Sequence, residues 1–189
     1  MQAPSPCSVA STHSMILSSA LLLLLFVLSS CAAPADDEVQ SLPGWAGALP
    51  SRHYSGYLRV AGGTNLHYYF VSSERSPQTA PTVVWLNGGP GCSSYIGFWT
   101  ENGPFTMNGD GSLSENPGRW TLAAHVLWLE APVAVGFSYQ VGASLPIVIN
   151  DTTTAQDNLD ALLAFSSRFP RFASTPLWIA GESYAGACV

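Results

Sequence analysis

The sequence contains no lysine, and charged residues of any kind are scarce. Six arginines and twelve acidic residues give a formal net charge of −6 over 189 residues. Proteins that bind nucleic acid through its phosphates need clustered basic side chains, so this balance excludes an electrostatic footprint for nucleic acid. The composition instead indicates an acidic secreted protein.

Long apolar runs are also rare, and the main one lies near the amino terminus. It covers Ile16–Leu28, is too short to span a bilayer comfortably, and is followed by small residues up to Ala35. We therefore predict an approximate signal peptide over residues 1–35. The stretch before the run lacks a basic residue, so translation from Met15 is an open alternative, and Leu28–Cys31 also has the form of a bacterial lipoprotein cleavage box.

Cysteine is sparse as well. Two of the four cysteines, Cys7 and Cys31, lie in or beside the predicted signal, which leaves Cys92 and Cys188 in the mature part. These two could pair in an oxidising compartment, but their spacing does not fix the connectivity. Asn150 begins a glycosylation sequon, so we expect a glycoprotein that is secreted or vacuolar/lysosomal and is free of the membrane after signal removal.

Short apolar segments alternate with one amphipathic helical pattern, which predicts an α/β sheet. His53 lies just before the first predicted strand and His67 lies in the second, and both are interpreted as surface or strand histidines. The predicted elements are a hairpin of Ser55–Val60 and Asn65–Ser72, buried strands at Thr82–Leu86 and Ala124–Glu130, and a helix over Thr153–Phe169 that ends at Pro170.

A serine on a sharp turn follows the last apolar segment. Leu177–Ala180 reads as a short strand, and Gly181–Gly186 (GESYAG) follows it. A serine between a strand and a helix is held in a strained conformation with its hydroxyl exposed, and small residues two before and two after it let the backbones approach. Gly181 and Ala185 occupy those positions, so Ser183 is the candidate nucleophile.

A second glycine-rich turn follows a different apolar strand. Thr82–Leu86 runs directly into Asn87–Ser94 (NGGPGCSS). Glycines in quick succession make a tight loop whose backbone amides can point at a ligand, so this loop could supply an oxyanion donor or could be a plain turn. Two such turns after two apolar strands, one of them presenting a serine, favour a hydrolase.

These motifs together resemble the serine carboxypeptidase family, whose secreted or vacuolar members have the α/β-hydrolase fold. The resemblance runs from about Leu42 to Gly186. It is carried by four motifs in order: Trp85–Ser94 (WLNGGPGCSS), Glu101–Phe105 (ENGPF), Val135–Tyr139 (VGFSY) and Gly181–Gly186 (GESYAG). The resemblance implies a peptide substrate, and it implies neither a cofactor nor a metal.

The resemblance also implies roles for individual residues. Ser183 would attack the last peptide carbonyl, and the backbone amides of Gly89 and Tyr184 would form the oxyanion hole. A network that binds the terminal carboxylate of the substrate would consist of Trp85, Asn87, Glu101 and Glu182. Two acidic side chains facing a carboxylate repel it when all are ionised, so we expect at least one to be protonated, which accounts physically for the family's acidic working range.

Active members of the family need an aspartate and a histidine after the serine, whereas all four histidines here precede Ser183. The usual partner of Cys92 would likewise lie beyond Val189. We therefore expect a fold truncated after the nucleophile turn, with residues 36–189 as the N-terminal part of a serine carboxypeptidase domain, incomplete or inactive as written. The alternatives are an acyltransferase of carboxypeptidase type, against which Asn87 and Glu182 argue, and a non-catalytic secreted fragment.

Overall fold

The computed structural model of the chain describes residues 33–142 and 147–187. Most of the predicted signal peptide and three of the four cysteines, Cys7, Cys31 and Cys188, lie outside these residues. Cys92 is half-buried and forms no disulfide within them. None of the described helices is long and apolar enough to cross a membrane.

A mixed seven-stranded sheet forms the centre of the fold. Its strands are β1 (Glu38–Val39), β2 (His53–Arg59), β3 (Thr64–Val71), β4 (Thr82–Leu86), β7 (His125–Leu129), β8 (Tyr139–Gln140) and β9 (Leu177–Gly181). They lie in the order β1-β2-β3-β7-β4-β9, with β8 pairing on β3. The predicted hairpin is confirmed, because β2 and β3 pair antiparallel along their length. A separate two-stranded sheet consists of β5 (Phe105–Met107) and β6 (Leu113–Glu115).

Strands β7, β4 and β9 are parallel, and β3 joins this group antiparallel through β7. Alternating side chains of the central strands point to opposite faces, so one residue of a strand enters one core and the next residue enters the other. Leu127 packs with Phe70 in the core of one face, whereas Val126 and Trp128 pack with Phe98 in the core of the other.

One helix covers each face of the sheet. The longer, α2 (Asp151–Arg168), packs Ala161 and Phe165 into the first core, and the shorter, α1 (Tyr95–Thr100), packs Phe98 into the second. Helix α2 starts at a capping box, because the Asn150 side chain accepts from the Thr153 amide at 2.9 Å and the Thr153 hydroxyl accepts from the Asn150 amide at 3.0 Å. The predicted helix is therefore confirmed, with its start two residues earlier.

The side of the sheet that carries β9 is apolar and exposed. Trp178 is 65% exposed and Leu163 of α2 is 62% exposed, whereas β7 is buried at all five of its positions. Leu177, Ile179 and Leu159 are exposed on the α2 face, whereas Trp178 points to the opposite face of β9. A soluble fold seldom leaves so many large apolar side chains together in water, so this side offers a surface for further packing.

Candidate active site

The two glycine-rich turns meet because the strands that precede them are parallel neighbours. Leu86 at the end of β4 is paired with Gly181 at the end of β9. The Glu182 amide then donates to the Leu86 carbonyl at 3.1 Å. Because the carboxyl ends of parallel strands lie at the same edge of a sheet, loops that leave those ends form one site.

Ser183 has the strained backbone that the sequence predicts for it. Its φ is +57°, in the left-handed region that costs a non-glycine residue on the order of 1 kcal/mol. The residue is exposed and starts a 3-10 turn over Ser183–Ala187, with the Ala185 amide donating to the Glu182 carbonyl at 3.0 Å. A β-carbon on Gly181 would lie 2.8 Å from that of Ala185, which confirms why both positions must be small.

The loop after β4 fits against this turn through a glycine that the sequence analysis did not single out. A β-carbon on Gly88 would lie 2.6 Å from both the Glu182 carbonyl oxygen and the Tyr184 backbone nitrogen. Any larger residue would therefore push the two loops apart. The signal for this position is the first glycine of the NGGPG run, which is closest to the end of β4.

Gly89 and Tyr184, the predicted oxyanion donors, lie on the two loops that Gly88 brings into contact. Gly89 has a φ of +109°, and the turn that contains it is closed by the Cys92 amide, which donates to the Gly88 carbonyl at 2.9 Å. The structure thus brings the peptide groups around Gly88 and Tyr184 side by side next to Ser183. The donation of both amides to an oxyanion stays a prediction.

The four residues predicted for the carboxylate site form one hydrogen-bonded network around Asn87. Its side-chain oxygen accepts from Trp85 Nε1 at 2.8 Å and from the Gly97 amide at 3.0 Å. Its Nδ2 donates to Glu182 Oε2 at 2.9 Å and to Glu101 Oε1 at 3.3 Å. All the hydrogen-bonding capacity of this amide is therefore used: two donors fix its oxygen, and its nitrogen holds two carboxyl groups side by side.

This network, which we call the Asn87 cluster (Trp85, Asn87, Glu101 and Glu182), is open to solvent on its acidic side. Glu101 and Glu182 are exposed. The ion pairs among the described residues use other carboxylates, so both glutamates keep oxygen atoms available to a ligand. The arginine pairs are Arg52–Glu38, Arg119–Glu74, Arg119–Glu115 and Arg168–Asp37.

A cavity of 170 Å³ borders the same loops. Its wall includes Pro90 of the glycine loop, Tyr184, and the start of α2. The Tyr184 hydroxyl donates to Asp151 Oδ1 at 2.8 Å, which joins the nucleophile turn to that helix. Asn158 also borders the cavity and is buried, and neither atom of its side-chain amide has a hydrogen-bond partner within the described residues.

Three of the four histidines lie within the described residues, and all three are buried in the strands. His53 bonds to the Tyr69 hydroxyl at 3.0 Å, His67 bonds to Glu130 at 3.0 Å, and His125 accepts from the Ser73 amide at 2.9 Å. The interpretation of His53 and His67 as strand residues is confirmed, and the alternative of a surface position is wrong for both. In the part of the chain that the structure describes, no group of three or more His, Cys, Asp or Glu could hold a metal ion.

Comparison with known proteins agrees with this geometry. The family model described as serine carboxypeptidase matches residues 43–189. The lysosomal protective protein of Mus musculus is 48% identical over 167 residues, which cover 88% of this chain and 35% of that protein. Serine carboxypeptidase 1 of Hordeum vulgare is 46% identical over 166 residues, which cover 84% of this chain and 33% of that protein. The chain thus spans about a third of the length of these curated relatives.

A solved structure shares the fold. The crystal structure of Kex1Δp, a prohormone-processing carboxypeptidase from Saccharomyces cerevisiae, matches with a TM-score of 0.71 and 26% identity, over 82% of this chain and 37% of that one. The mixed sheet, the strained serine turn and the matching glycine loop therefore have one explanation. The chain belongs to the serine carboxypeptidase family and has the α/β-hydrolase fold.

Proposed function

We propose that the protein carrying this chain is a serine-type carboxypeptidase that removes C-terminal residues from peptides. The observation that carries the proposal is the position of Ser183, on a left-handed turn, beside a cluster that holds two carboxyl groups and keeps them open to solvent. A nucleophile next to a site for a terminal carboxylate selects the last peptide bond of a chain, because the carboxylate fixes which carbonyl reaches the serine.

In this mechanism the Ser183 hydroxyl attacks the scissile carbonyl, the peptide C–N bond breaks, and the terminal amino acid leaves as an acyl-enzyme forms. Water then hydrolyses the acyl ester, which releases the shortened peptide and restores the Ser183 hydroxyl. The Gly89 and Tyr184 amides stabilise the oxyanion of the tetrahedral intermediate. A preorganised donor of this kind contributes about 3 kcal/mol to lowering the barrier.

The Asn87 cluster binds the terminal carboxylate of the peptide. Two carboxyl groups can bind a third only through a shared proton, because ionised carboxylates repel one another. The exposed position of both glutamates supports this role, because a peptide end can reach them from solvent.

A serine nucleophile needs a general base. The described histidines are buried on strands and bond to Tyr69, Glu130 and Ser73, and His13 lies in the predicted signal peptide. We therefore place the base, and the aspartate that orients it, in polypeptide outside this sequence. The apolar surface of β9 and α2 supports this placement because it is suited to receive further elements of the fold.

The test is the hydrolysis of an N-blocked dipeptide and of its C-terminal amide by the full-length protein that carries this sequence. We expect release of the terminal amino acid from the free acid, little release from the amide, and loss of turnover in Ser183→Ala. Retained turnover in Ser183→Ala would overturn the nucleophile assignment. Transfer of an acyl group to an alcohol without peptide hydrolysis would instead support the acyltransferase alternative, against which the Asn87–Glu182 contact argues.

We also propose that the protein enters the secretory pathway and carries a glycan on Asn150. The sequon residues Asn150 and Thr152 are exposed at the start of α2. Asn150→Asp and Thr152→Ala both destroy the sequon and keep an oxygen that can cap the helix, whereas Thr152→Ser keeps the sequon. We expect the first two variants, but not the third, to lose the mobility shift that a glycosidase removes from the native protein. Equal mobility in all of them would contradict glycosylation at this site.

A further inference from the structure

A further acidic residue lies at the same edge of the sheet, but it is buried. Glu130 follows the last residue of β7, and only 1% of it is exposed. Its carboxylate accepts from His67 Nδ1 of β3 at 3.0 Å, from the Phe137 amide at 2.9 Å, and from the Ser93 hydroxyl. One side chain therefore joins a strand, the glycine loop and the loop after β7.

Every bond in this group fits an ionised glutamate. Burial acts to raise the pKa of Glu130, but hydrogen bonds from His67, the Phe137 backbone and Ser93 outweigh burial and lower it. Because a carboxylate only accepts, Nδ1 of His67 carries a hydrogen, and in the neutral ring Nε2 accepts from the Ser55 hydroxyl at 3.1 Å. We call Ser55, His67, Ser93 and Glu130 the Glu130 cluster.

The loop that carries Phe137 is shaped around the same carboxylate. A β-carbon on Gly136, whose φ is +52°, would collide with the Glu130 side chain. Ser138 donates to the Glu130 carbonyl at 2.6 Å and accepts from the His67 amide at 2.8 Å. The sequence motif at Val135–Tyr139 therefore has a structural purpose, which is to enclose Glu130.

The order serine, histidine and carboxylate in this cluster is that of a hydrolytic triad. Ser55, however, lies in the regular antiparallel ladder of β2 and β3, opposite Tyr69. Ser183, by contrast, occupies a left-handed turn at a strand end. Because the attacking serine of an α/β-hydrolase projects from such a turn, the Glu130 cluster is better suited to hold neighbouring segments than to react.

Ser93 connects the cluster to the glycine loop. Its hydroxyl donates to Glu130 and accepts from the Tyr95 amide at 3.1 Å, so it fixes the chain directly after the Gly88–Cys92 turn. Ser94 holds a different point, since its hydroxyl donates to the Leu129 carbonyl at 2.6 Å and accepts from the Asn87 amide at 3.1 Å. Asn87 thus has its own anchor, and Ser93 ties the chain after the turn that contains Gly89 to Glu130.

We propose that Glu130, acting through Ser93, is a positioning residue that holds the Gly88–Cys92 turn so that the Gly89 amide faces the oxyanion formed at Ser183. This inference rests on the proposed carboxypeptidase function. It assigns Glu130 and Ser93 no contact with the substrate; their effect on rate comes from the placement of a donor that acts only in the transition state.

The test uses Ser93→Ala, Glu130→Gln and the double variant in the full-length protein, with Ser73→Ala as the matched control. Ser73 is 1% exposed, and its hydroxyl accepts from the Ser76 amide at the opposite end of the strands. Active sites are counted by labelling with a fluorophosphonate, so that a loss of folded protein does not enter the rate per site.

We expect Ser93→Ala to lower kcat per labelled site about tenfold and to change KM less than about twofold, because the donor is displaced rather than removed. Ser73→Ala should leave kcat per site unchanged. If both residues act through one bond, kcat per labelled site in the double variant should be no lower than in the less active single variant. An unchanged kcat per site in Ser93→Ala, or additive losses in the double variant, would overturn the proposal.

A second readout does not depend on activity. Hydrogen exchange of the peptide covering residues 87–94 should accelerate at least about tenfold in Ser93→Ala and stay unchanged in Ser73→Ala. If the native protein neither hydrolyses the dipeptide nor reacts with the fluorophosphonate, the proposed function fails, while the exchange still decides whether Ser93 holds the turn. Unchanged exchange in Ser93→Ala would show that it does not.

Discussion

Two acidic clusters lie at the same edge of the sheet and differ in their access to water. In the Asn87 cluster, two exposed glutamates share the donors of one amide. In the Glu130 cluster, one buried glutamate accepts hydrogen bonds from a histidine, a serine hydroxyl and a backbone amide. A carboxylate satisfied inside the protein stabilises the fold, whereas carboxyl groups left open to solvent can bind a ligand.

The largest expected difference between the clusters is in stability. Glu130→Ala leaves a buried histidine and a half-buried hydroxyl without their acceptor, so we expect it to lower the free energy of unfolding by about 3 kcal/mol. Glu101→Ala removes an exposed carboxyl group and should change the free energy of unfolding by less than about 0.5 kcal/mol. Urea unfolding of both variants is the measurement. Equal losses would show that the distinction between the clusters is wrong.

The second prediction compares two buried histidines, one with a carboxylate and one without. His67 bonds to Glu130, whereas Nε2 of His125 has no partner within the described residues, and burial lowers the pKa of His125 to about 4. The unfolded chain binds the proton more tightly, with a pKa near 6.5. The stabilising contribution of His125 is therefore complete above that pH and is lost as the pH falls towards 4.

For this single histidine the loss between pH 7 and pH 5 should be about 1–2 kcal/mol. The measurement is urea unfolding at both pH values for the native protein and for His125→Asn, whose side-chain oxygen can still accept from the Ser73 amide. We expect a smaller pH dependence in the variant. The same pH dependence in both proteins would contradict a neutral, buried His125.

The third prediction concerns specificity. If the Asn87 cluster binds the terminal carboxylate, Glu101→Ala should lower kcat/KM for a free-acid dipeptide about tenfold and change that for the amide much less. Glu115→Ala is the matched control, because Glu115 is an exposed carboxylate that pairs with Arg119 instead. An equal fall in kcat/KM for both substrates in Glu101→Ala would show that the cluster does not recognise the carboxylate.

The smallest expected effect is that of Ser55→Ala. Ser55 hydrogen-bonds to Nε2 of His67 and has no bond to the glycine loop, so we expect kcat per labelled site to stay within about twofold of the native value. The free energy of unfolding should fall by about 1 kcal/mol for the lost hydrogen bond. A fall in kcat comparable to that of Ser183→Ala would show that the Glu130 cluster itself is reactive.

The local sequence pattern is sufficient to predict several helices and strands and the serine turn of the candidate site. The strand at Thr82–Leu86 agrees at both ends, and α2 and the hairpin are off by only a few residues, because their apolar spacing and turn residues are local signals. The strained turn at Ser183 and the contact between Gly181 and Ala185 follow from the same kind of local crowding. The Asn87 cluster was predicted only through the family resemblance.

Other features depend on pairing between distant residues and have no local signal. Because β7 lies between β3 and β4, Glu130 contacts His67, which is 63 residues earlier in the sequence. The local sequence around either residue does not predict this contact. Helix α1 and the β5–β6 hairpin were not predicted either, since six-residue and three-residue elements are too short for a periodic pattern. An acidic residue directly after an apolar strand, as at Glu130, was the available hint.

The most direct test of the account is to map the site of fluorophosphonate labelling in the full-length protein by mass spectrometry, with and without a competing peptide. We predict an adduct on Ser183, formed more slowly in the presence of a peptide with a free carboxylate and at an unchanged rate in the presence of its amide. An adduct on another serine, or equal protection by the acid and the amide, would contradict a Ser183 nucleophile that works beside a carboxylate site.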